Sequence, residues 1–263
     1  MSNISPLAFV HPEAKIGNNV TIEPFVFIDR DVVIGDNCVI RSHASIIAGT
    51  RMGSGNTIYH SAIIGADPQD FRWKGEQTYC IIGDNNKIYQ QVIINRSIRE
   101  GEATTIGSDS FIMAQSHIGH DSHIGNHCVI GNAVKIAGDC RVGNYSILSS
   151  MALMHEKCHV GEWVLIKGGC RINNNIPPYV IMAHTPITYF GVNAFILRKG
   201  NKSEEAIDDI ARCYRHIYQC NTSIFNAIKR IEADVNPSPE RDAIIDFIRN
   251  HDLNIAALPL EMM

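Results

Sequence analysis

An aliphatic residue recurs at every sixth position between Val10 and Ile172, and this period is the strongest constraint on the fold. Ten anchors run without a slip from Val10 to Ile64, three follow, and twelve more run from Ile106 to Ile172. A period of six fits neither the turn of an α-helix nor the simple alternation of a strand. It fits a hexapeptide β-helix, in which three hexads form one triangular coil of about 18 residues. The sequence therefore predicts about eight stacked coils.

A second small or branched residue follows four positions after each anchor, and both positions are expected to point into the coil. Cys80 takes this position when the frame of Ile82 is carried back by one hexad. Five further cysteines do so directly: Cys38, Cys128, Cys140, Cys158 and Cys170. Free cysteine packs as a small apolar residue, and no CxxC pair is present. The cysteines therefore predict a packed core and a reducing compartment, with no metal or redox motif.

Gly follows many anchors, often beside Asn or Asp, and these residues are expected to supply the tight or left-handed backbone of the corners. Parallel ladders between coils would satisfy the backbone groups of the rod. Because side chains fill the interior, any chemistry is expected on the outside.

The chain has 263 residues and a net charge of −4, which gives room for one long domain and a smaller one. It shows no basic stripe, so nucleic-acid binding is not expected. No stretch has the basic and apolar segments of a signal peptide or the length of a membrane span. The expected location is the cytoplasm.

The hexads break at residues 66–80 and 96–105, and such insertions in a solenoid form loops that often line the binding face. The first insertion concentrates Gln, Asp, Arg and Trp, so we expect it to take part in a site.

The pattern becomes helical after Pro177-Pro178, with helices predicted over Glu204–Gln219, Ser223–Val235 and from Ser238-Pro239 to Asn250. The predicted domains are a β-helix over residues 1–190 and a helical domain over 191–263, which would cap the last coil.

Four histidines, His117, His120, His123 and His127, fall within eleven residues outside the inner positions. Residues 18 apart lie on successive coils, so the sequence predicts one edge that carries several reactive groups. This edge contains His120, Asp121, Gly138, Asp139, His155 and Glu156. A flat face encloses no ligand alone, whereas neighbouring prisms form a cleft, so we expect a cyclic trimer with an intersubunit site.

A metal site is an alternative hypothesis, because some hexapeptide β-helices resemble zinc carbonic anhydrases that use three histidines. Here the spacing between His117, His120 and His123 is three residues, which is not the spacing of stacked positions. The sequence therefore predicts no metal site.

Five stretches carry a resemblance to a known family. They are Pro68-Gln69-Asp70 to Gly75-Glu76, His117-Ile118-Gly119-His120-Asp121, Gly168-Gly169-Cys170, Ile176-Pro177-Pro178-Tyr179-Val180 and Phe190-Gly191-Val192-Asn193. With these motifs, its two insertions and its tail, essentially the whole chain resembles the UDP-N-acetylglucosamine O-acyltransferases that begin lipid A biosynthesis.

The resemblance implies a homotrimer of left-handed parallel β-helices, each followed by a small α-helical C-terminal domain. It implies transfer of a 3-hydroxyacyl group from acyl carrier protein to the 3-hydroxyl of UDP-N-acetylglucosamine, with no cofactor beyond the carrier's phosphopantetheine. His120 matches the general base, Asp121 its orienting carboxylate and Gly138 the donor to the oxyanion. These roles suit acyl transfer, because an imidazole oriented by a carboxylate takes the proton of an alcohol as it attacks.

The resemblance also implies a set of substrate contacts. They are Gln69, Asp70, Arg72, His117, Asp139, His155, Glu156, Asn193, Arg198 and Lys199, with Gly168 at the position that gauges acyl length. Several positions depart from the usual pattern: Arg72 replaces lysine, Asn95 and Asp139 replace histidine, Glu156 replaces glutamine and Phe195 replaces glutamate. The extra carboxylates raise the possibility of an acceptor that bears an amine.

Two alternatives stay open at this point. One is a paralogue that acylates an amino-modified nucleotide sugar, and the other is a non-catalytic solenoid or carrier-binding module. The intact His120-Asp121 pair favours an enzyme over the second alternative. Arg171 and Lys167 are candidate contacts for an acidic carrier protein, although basic residues also serve solubility.

Overall fold

The computed structural model describes residues 2–252 and 254–256, and the hexads form the three faces of a triangular rod. Sheet A contains Asn3–Ile4, Thr21–Ile22, Val39–Ile40, Thr57–Ile58, Lys87–Ile88, Phe111–Ile112, Val129–Ile130, Ile147–Leu148, Leu165–Ile166, Val180–Ala183 and Thr188–Val192. Sheet B contains Phe9–Val10, Phe27–Ile28, Ser45–Ile46, Ile63–Ala66, Ile93–Asn95, His117–Ile118, Lys135–Ile136, Leu153–Met154 and Arg171–Ile172. Sheet C contains Lys15–Ile16, Val33–Ile34, Thr50–Met52, Tyr79–Ile82, Ala103–Ile106, His123–Ile124, Arg141–Val142 and His159–Val160.

The coils stack in parallel with anchor on anchor. Ile118 pairs with Ile136 in sheet B, and Ile124 pairs with Val142 in sheet C. These anchors are buried, as the hexad period predicts. The interior of the rod is therefore a continuous, mainly apolar core. A few small polar side chains are buried at its inner positions, among them Asn86, Ser110 and Ser146.

All eight cysteines are free thiols, and seven of them are buried. Burial raises the pKa of Cys80 to about 12 and that of Cys128 to about 11. Both groups are therefore neutral thiols at physiological pH, and their predicted role in packing is confirmed.

Each coil turns at three corners, which we name after the sheets that they join. In the coil that begins at His117, residues 119–122 form the BC corner, 125–128 the CA corner and 131–134 the AB corner. Both insertions leave the rod at its BC corner. The adjoining strands run further than the hexads predict, so the insertions cover residues 67–78 and 96–102.

The predicted left-handed corner backbone is confirmed for Asn and Asp residues and for some glycines, such as Gly65 with φ 77°, but other corner glycines have a different role. A Cβ atom on Gly143 would lie 2.6 Å from the backbone carbon of Gly161, so glycine is needed there for close approach between coils. In most corners the left-handed backbone lies two positions later, where Asp121 has φ 59° and Asp139 has φ 57°. Aspartate and asparagine tolerate this conformation better than most residues. The corner therefore fixes the backbone direction of both aspartates.

The chain leaves the rod through a hairpin in which Val180–Ala183 pairs antiparallel with Thr188–Val192. The predicted domain boundary at 190/191 falls within its second strand. Four helices follow: α1 (Ala194–Lys199), α2 (Glu204–Tyr218), α3 (Ile224–Asp234) and α4 (Pro239–Asn250). Serine side chains cap α2, α3 and α4. Helix α1 was not predicted, because its six residues give too short an apolar pattern and no side chain caps it.

The helices pack onto the last coil, as expected of a cap. The Tyr214 hydroxyl, which is fully buried, donates a hydrogen bond to the carbonyl of Pro178. The Tyr218 hydroxyl donates to the carbonyl of Ala256 at 2.9 Å. Within residues 2–252 and 254–256, the helices are too short or too polar to cross a bilayer.

A histidine pair joins α4 to the rod and gives the fold a predicted pH dependence. The imidazoles of His159 and His251 are in direct contact, and burial together with His251 lowers the pKa of His159 to about 4. The unfolded chain then takes up a proton near pH 6.5, before the folded chain does, so stability is lost as the pH falls. Between pH 7.5 and 5 we expect the His159→Gln variant to lose about 1 kcal/mol less than the parent. Urea unfolding at both pH values measures this difference, and equal losses would contradict the prediction.

Candidate active site

The BC corner brings His120 and Asp121 against both insertions. His120 Nδ1 lies 2.6 Å from Asp121 Oδ2, and the His120 residue is 8% exposed. The backbone N–H of Asp121 donates to Thr104 Oγ1 at 2.8 Å. The carboxylate therefore accepts the Nδ1 proton and leaves the lone pair on Nε2, which is the arrangement of a general base.

The second insertion keeps Asp121 charged. Its side chain accepts a hydrogen bond from the Ser97 hydroxyl and one from the Ile98 N–H at 3.4 Å, and Arg99 Nη1 lies 3.4 Å away. Burial raises the pKa of Asp121, but the hydrogen bonds from Ser97 and His120 and the charge of Arg99 outweigh it. The pKa therefore lies below its ordinary value. The carboxylate is an anion at neutral pH and can stabilise an imidazolium.

The first insertion places a second carboxylate beside the other imidazole nitrogen. Asp70 Oδ2 lies 3.3 Å from His120 Nε2. Arg72 binds Asp70 through Nε at 2.9 Å and Nη2 at 2.7 Å, and its Nη2 also reaches Glu156 Oε1 at 3.4 Å. These bonds from Arg72 hold the pKa of Asp70 well below its ordinary value. We predicted from the sequence that the first insertion takes part in a site, and this contact between Asp70 and the imidazole supports that prediction.

Gly138, on the next coil, lies directly against the His120 imidazole. A Cβ atom there would overlap the His120 ring, with Nε2 at 2.5 Å, so only glycine leaves room for the ring. In the part of the chain that the structure describes, no acceptor takes the Gly138 N–H. This donor is consequently free to bind an oxyanion that forms beside His120.

A groove of about 480 Å³ runs along sheet B next to this corner. Its walls include His117, Lys135, Leu153, His155 and Arg171. His117 Nε2 contacts Asn95 Oδ1 at 2.6 Å, and burial together with Lys135 lowers the pKa of His117. The groove therefore combines an apolar floor with polar and basic walls, next to the proposed base.

The structure places Gln69 and Asp139 near the same corner, but other predicted contacts lie elsewhere in the chain. Gln69 is exposed on the first insertion. Gly168 lies at an AB corner, and Asn193 lies by a CA corner, where its Nδ2 donates to the carbonyl of Trp163 at 2.9 Å. Arg198 and Lys199 end α1, and Arg198 pairs with Glu204. One chain does not bring these four residues to His120.

The three clustered histidines bind different partners, which explains why they form no common ligand set. His117 lies on sheet B against Asn95, His120 at the BC corner, and His123 on sheet C, where its Nδ1 contacts Thr105 Oγ1 at 2.8 Å. Within residues 2–252 and 254–256, no group of three or more His, Cys, Asp or Glu side chains converges in a way that suits a metal ion.

Ser97, Arg99 and Thr104 hold the BC corner in place, but the sequence pattern did not predict them as site residues. Arg99 Nη2 also binds Asp139 Oδ1 at 2.5 Å. A signal was available, because Ile64 and Ile94 both lie on sheet B, so that both insertions follow the same face. Counting hexads in threes therefore places both insertions at the corner that carries His120.

Family models match both parts of the chain. The model described as "Udp N-acetylglucosamine O-acyltransferase; Domain 2" matches residues 175–256. The bacterial transferase hexapeptide model, with six repeats, matches residues 103–138, and the model for the GMPPB C-terminal domain matches residues 4–99. The hexapeptide rod and the helical tail are thus each matched independently.

Relatives that match over nearly their full length share one name. The acyl-[acyl-carrier-protein]–UDP-N-acetylglucosamine O-acyltransferase of Pseudomonas entomophila is 36% identical, over 95% of this chain and 97% of that protein. The enzyme of the same name from Chlamydia abortus is 34% identical, over 95% of this chain and 90% of its own length. Near full coverage on both sides shows that the likeness extends from the rod through the tail.

Solved structures agree with the sequences. A UDP-N-acetylglucosamine acyltransferase from Bacteroides fragilis is 47% identical with a TM-score of 0.94, covering 97% of this chain and 100% of that one. The corresponding enzyme from Francisella novicida is 31% identical with a TM-score of 0.94, covering 98% of this chain and 95% of that one. The predicted fold, a left-handed parallel β-helix followed by a small helical domain, is confirmed.

Proposed function

Because the chain belongs to the acyl-[acyl-carrier-protein]–UDP-N-acetylglucosamine O-acyltransferase family, we propose that it acylates the sugar 3-hydroxyl of UDP-N-acetylglucosamine. The acyl donor is a 3-hydroxyacyl thioester on acyl carrier protein, and the reaction is the first step of lipid A biosynthesis. The observation that supports this reaction most directly is the His120–Asp121 pair, held at the BC corner beside the sheet B groove.

His120 acts as the general base. Its Nε2 removes the proton of the sugar hydroxyl as the oxygen attacks the thioester carbonyl, and Asp121 stabilises the imidazolium that forms. The Gly138 N–H donates to the oxyanion of the tetrahedral intermediate. The carbon–sulfur bond then breaks, and the imidazolium returns its proton to the pantetheine thiolate. Acyl transfer is complete with the carrier's own thiol as leaving group, and the chemistry requires no metal.

The substrate contacts divide between two copies of the chain. Gln69, Asp70, Arg72 and Glu156 surround the base and meet the sugar, while His117 and His155 line the groove for the acyl chain. The remaining contacts come from the neighbouring copy: Gly168, Asn193, Arg198 and Lys199. Because these lie at other corners of the rod, a cyclic trimer is the simplest assembly that brings them to His120.

The carboxylate of Asp139, which is partly exposed, is a further sugar contact. Within the described residues its Oδ2 has no hydrogen-bond partner, so it is free to accept a hydrogen bond from substrate.

The groove is also lined by exposed basic side chains on sheet B, one of which is Arg171. These groups suit an acidic carrier protein, which we place in the cytoplasm together with the enzyme.

An assay with carrier-protein thioesters of several 3-hydroxyacyl lengths tests the proposal. We expect O-acylated UDP-N-acetylglucosamine and release of the carrier thiol, both detected by mass spectrometry. The 3-amino analogue of the sugar is the matched comparison, and acylation of that analogue alone would favour the amino-sugar alternative. Absence of product with either acceptor at all acyl lengths would contradict the proposed activity.

The assembly has its own test, because the chain has a mass of 29.2 kDa. Light scattering coupled to gel filtration should give three times this mass for the active protein. A stable monomer with full activity would contradict the shared site, since Asn193 and Arg198 would then not reach His120.

A further inference from the structure

Two carboxylates stack directly at the catalytic corner. Asp121 and Asp139 occupy the same position of successive coils and have nearly the same left-handed backbone. Successive parallel strands are about 4.8 Å apart, so the two anions face one another at short range. Unpaired like charges at this spacing repel, which would push the two side chains apart. A general base that depends on an anionic Asp121 needs this repulsion removed.

Arg99 occupies the place where one cation serves both carboxylates. Its Nη1 lies 3.4 Å from Asp121 Oδ1, and its Nη2 lies 2.5 Å from Asp139 Oδ1. The same loop is held to the corner because the Arg99 N–H donates to Ser97 Oγ at 2.9 Å and Ser97 donates to Asp121. The guanidinium fork suits this double contact better than an ammonium would.

We propose that Arg99 and Asp139 form a charge-paired positioning unit that holds the Asp121 carboxylate in place and balances the charge around the His120 imidazole. This inference rests on the proposed function, since it assigns roles around the same base. Arg99 balances two stacked anions, and Asp139 in turn anchors Arg99 over the corner. Each residue acts through Asp121, and neither takes the proton of the substrate.

The charges that surround the base come from every element packed on this corner. The first insertion supplies Asp70 and Arg72, and the second supplies Arg99. The two coils above supply Asp139, Glu156 and Lys157, and the groove on sheet B supplies His117, Lys135, His155 and Arg171. Arg72 already pairs with Asp70 and Glu156. Arg99 and Asp139 therefore form a separate pair with opposite effects on His120.

The opposite signs give a test that loss of structure alone would not reproduce. In Arg99→Gln the imidazolium loses a repulsive cation, so the acidic limb of the pH profile of kcat/KM should move up by about half a unit or more. In Asp139→Asn the imidazolium loses an attractive anion, so the acidic limb of the kcat/KM profile should move to lower pH by a similar amount. The double variant should return close to the parent profile.

Further variants separate positioning from folding and from sugar binding. Arg99→Gln should lower kcat about tenfold at pH 7 with little change in KM, and Arg99→Lys should recover part of this loss. Arg249→Gln removes an exposed pair with Glu232 and should leave the profile unchanged. Thermal unfolding of each variant verifies the fold.

The outcomes distinguish this inference from the proposed function. Acid limbs that stay in place, or that move in the same direction in the two single variants, would overturn it while the parent remains an active acyltransferase. A raised KM for the sugar in Asp139→Asn with an unmoved profile would also overturn it, because Asp139 would then act only as a substrate contact. A parent without acyl transfer would instead refute the proposed function.

Discussion

Replacement of His120 by alanine should lower kcat for acyl transfer by about 10³-fold while the rod remains folded. The imidazole is the basic group that Asp121 orients at this BC corner, through a 2.6 Å contact between Nδ1 and Oδ2, next to the groove. Without it, the sugar hydroxyl must lose its proton to water as it attacks the thioester. Steady-state turnover with a carrier-protein thioester and UDP-N-acetylglucosamine measures the effect.

His127→Ala is the matched control for this variant. His127 lies at a CA corner of the same coil, half-exposed, and its ring stacks on Tyr145 at 4.7 Å between centroids. We expect it to retain most of the parent activity, because it touches no group of the site. If His120→Ala kept more than a tenth of the parent turnover, the base assignment would be wrong.

The rod and its reactive edge were predictable because a period of 18 residues is a strict geometric rule. It places Glu156 two coils above His120, and in the structure Glu156 joins the site through Arg72. The same arithmetic shows that Gly168 is two hexads out of phase with His120, at another corner. The resemblance named Gly168 and Asn193 as contacts, but only the positions in the rod show that one chain keeps them apart.

The conformation of the insertions was not predictable in the same way. Residues 67–78 and 96–102 follow no period, so the pattern fixes where they leave the rod but not where their side chains point. The bidentate contact of Arg72 with Asp70 and the bridge made by Arg99 depend on loop backbone that the anchors do not constrain. The composition of the first insertion, with its Gln, Asp, Arg and Trp, predicts a site, whereas the second insertion has no aromatic residue and gives no such signal.

The histidine, the aspartate and the glycine of the site form one mechanical unit. The strand anchors Ile118 and Ile136 fix the two BC corners, and the distance between them is the spacing of one coil. Since the rod is closely packed, neither corner can move to accommodate a new atom. The position of the imidazole is therefore set by Asp121 on one side and by the surface of Gly138 on the other.

Gly138→Ala should consequently lower kcat by about 10²-fold with little loss of stability. A methyl group at this position would lie 2.5 Å from His120 Nε2, much closer than real contacts allow, so the ring must rotate away from its bond with Asp121. The obstacle is a side chain, which can move, and the backbone of the rod keeps its spacing. Turnover per folded molecule and the midpoint of thermal unfolding measure the two effects separately.

Gly143→Ala is expected to show the opposite signature. Its methyl group would meet the backbone of Gly161 at 2.6 Å, so the coils must separate and stability should fall, while the surviving folded protein keeps its turnover. A second check uses non-additivity: combined with His120→Ala, the Gly138→Ala change should cost little more, because both act through the same ring. A further hundredfold loss in the double variant would show that Gly138 acts independently of His120, for example through its N–H alone.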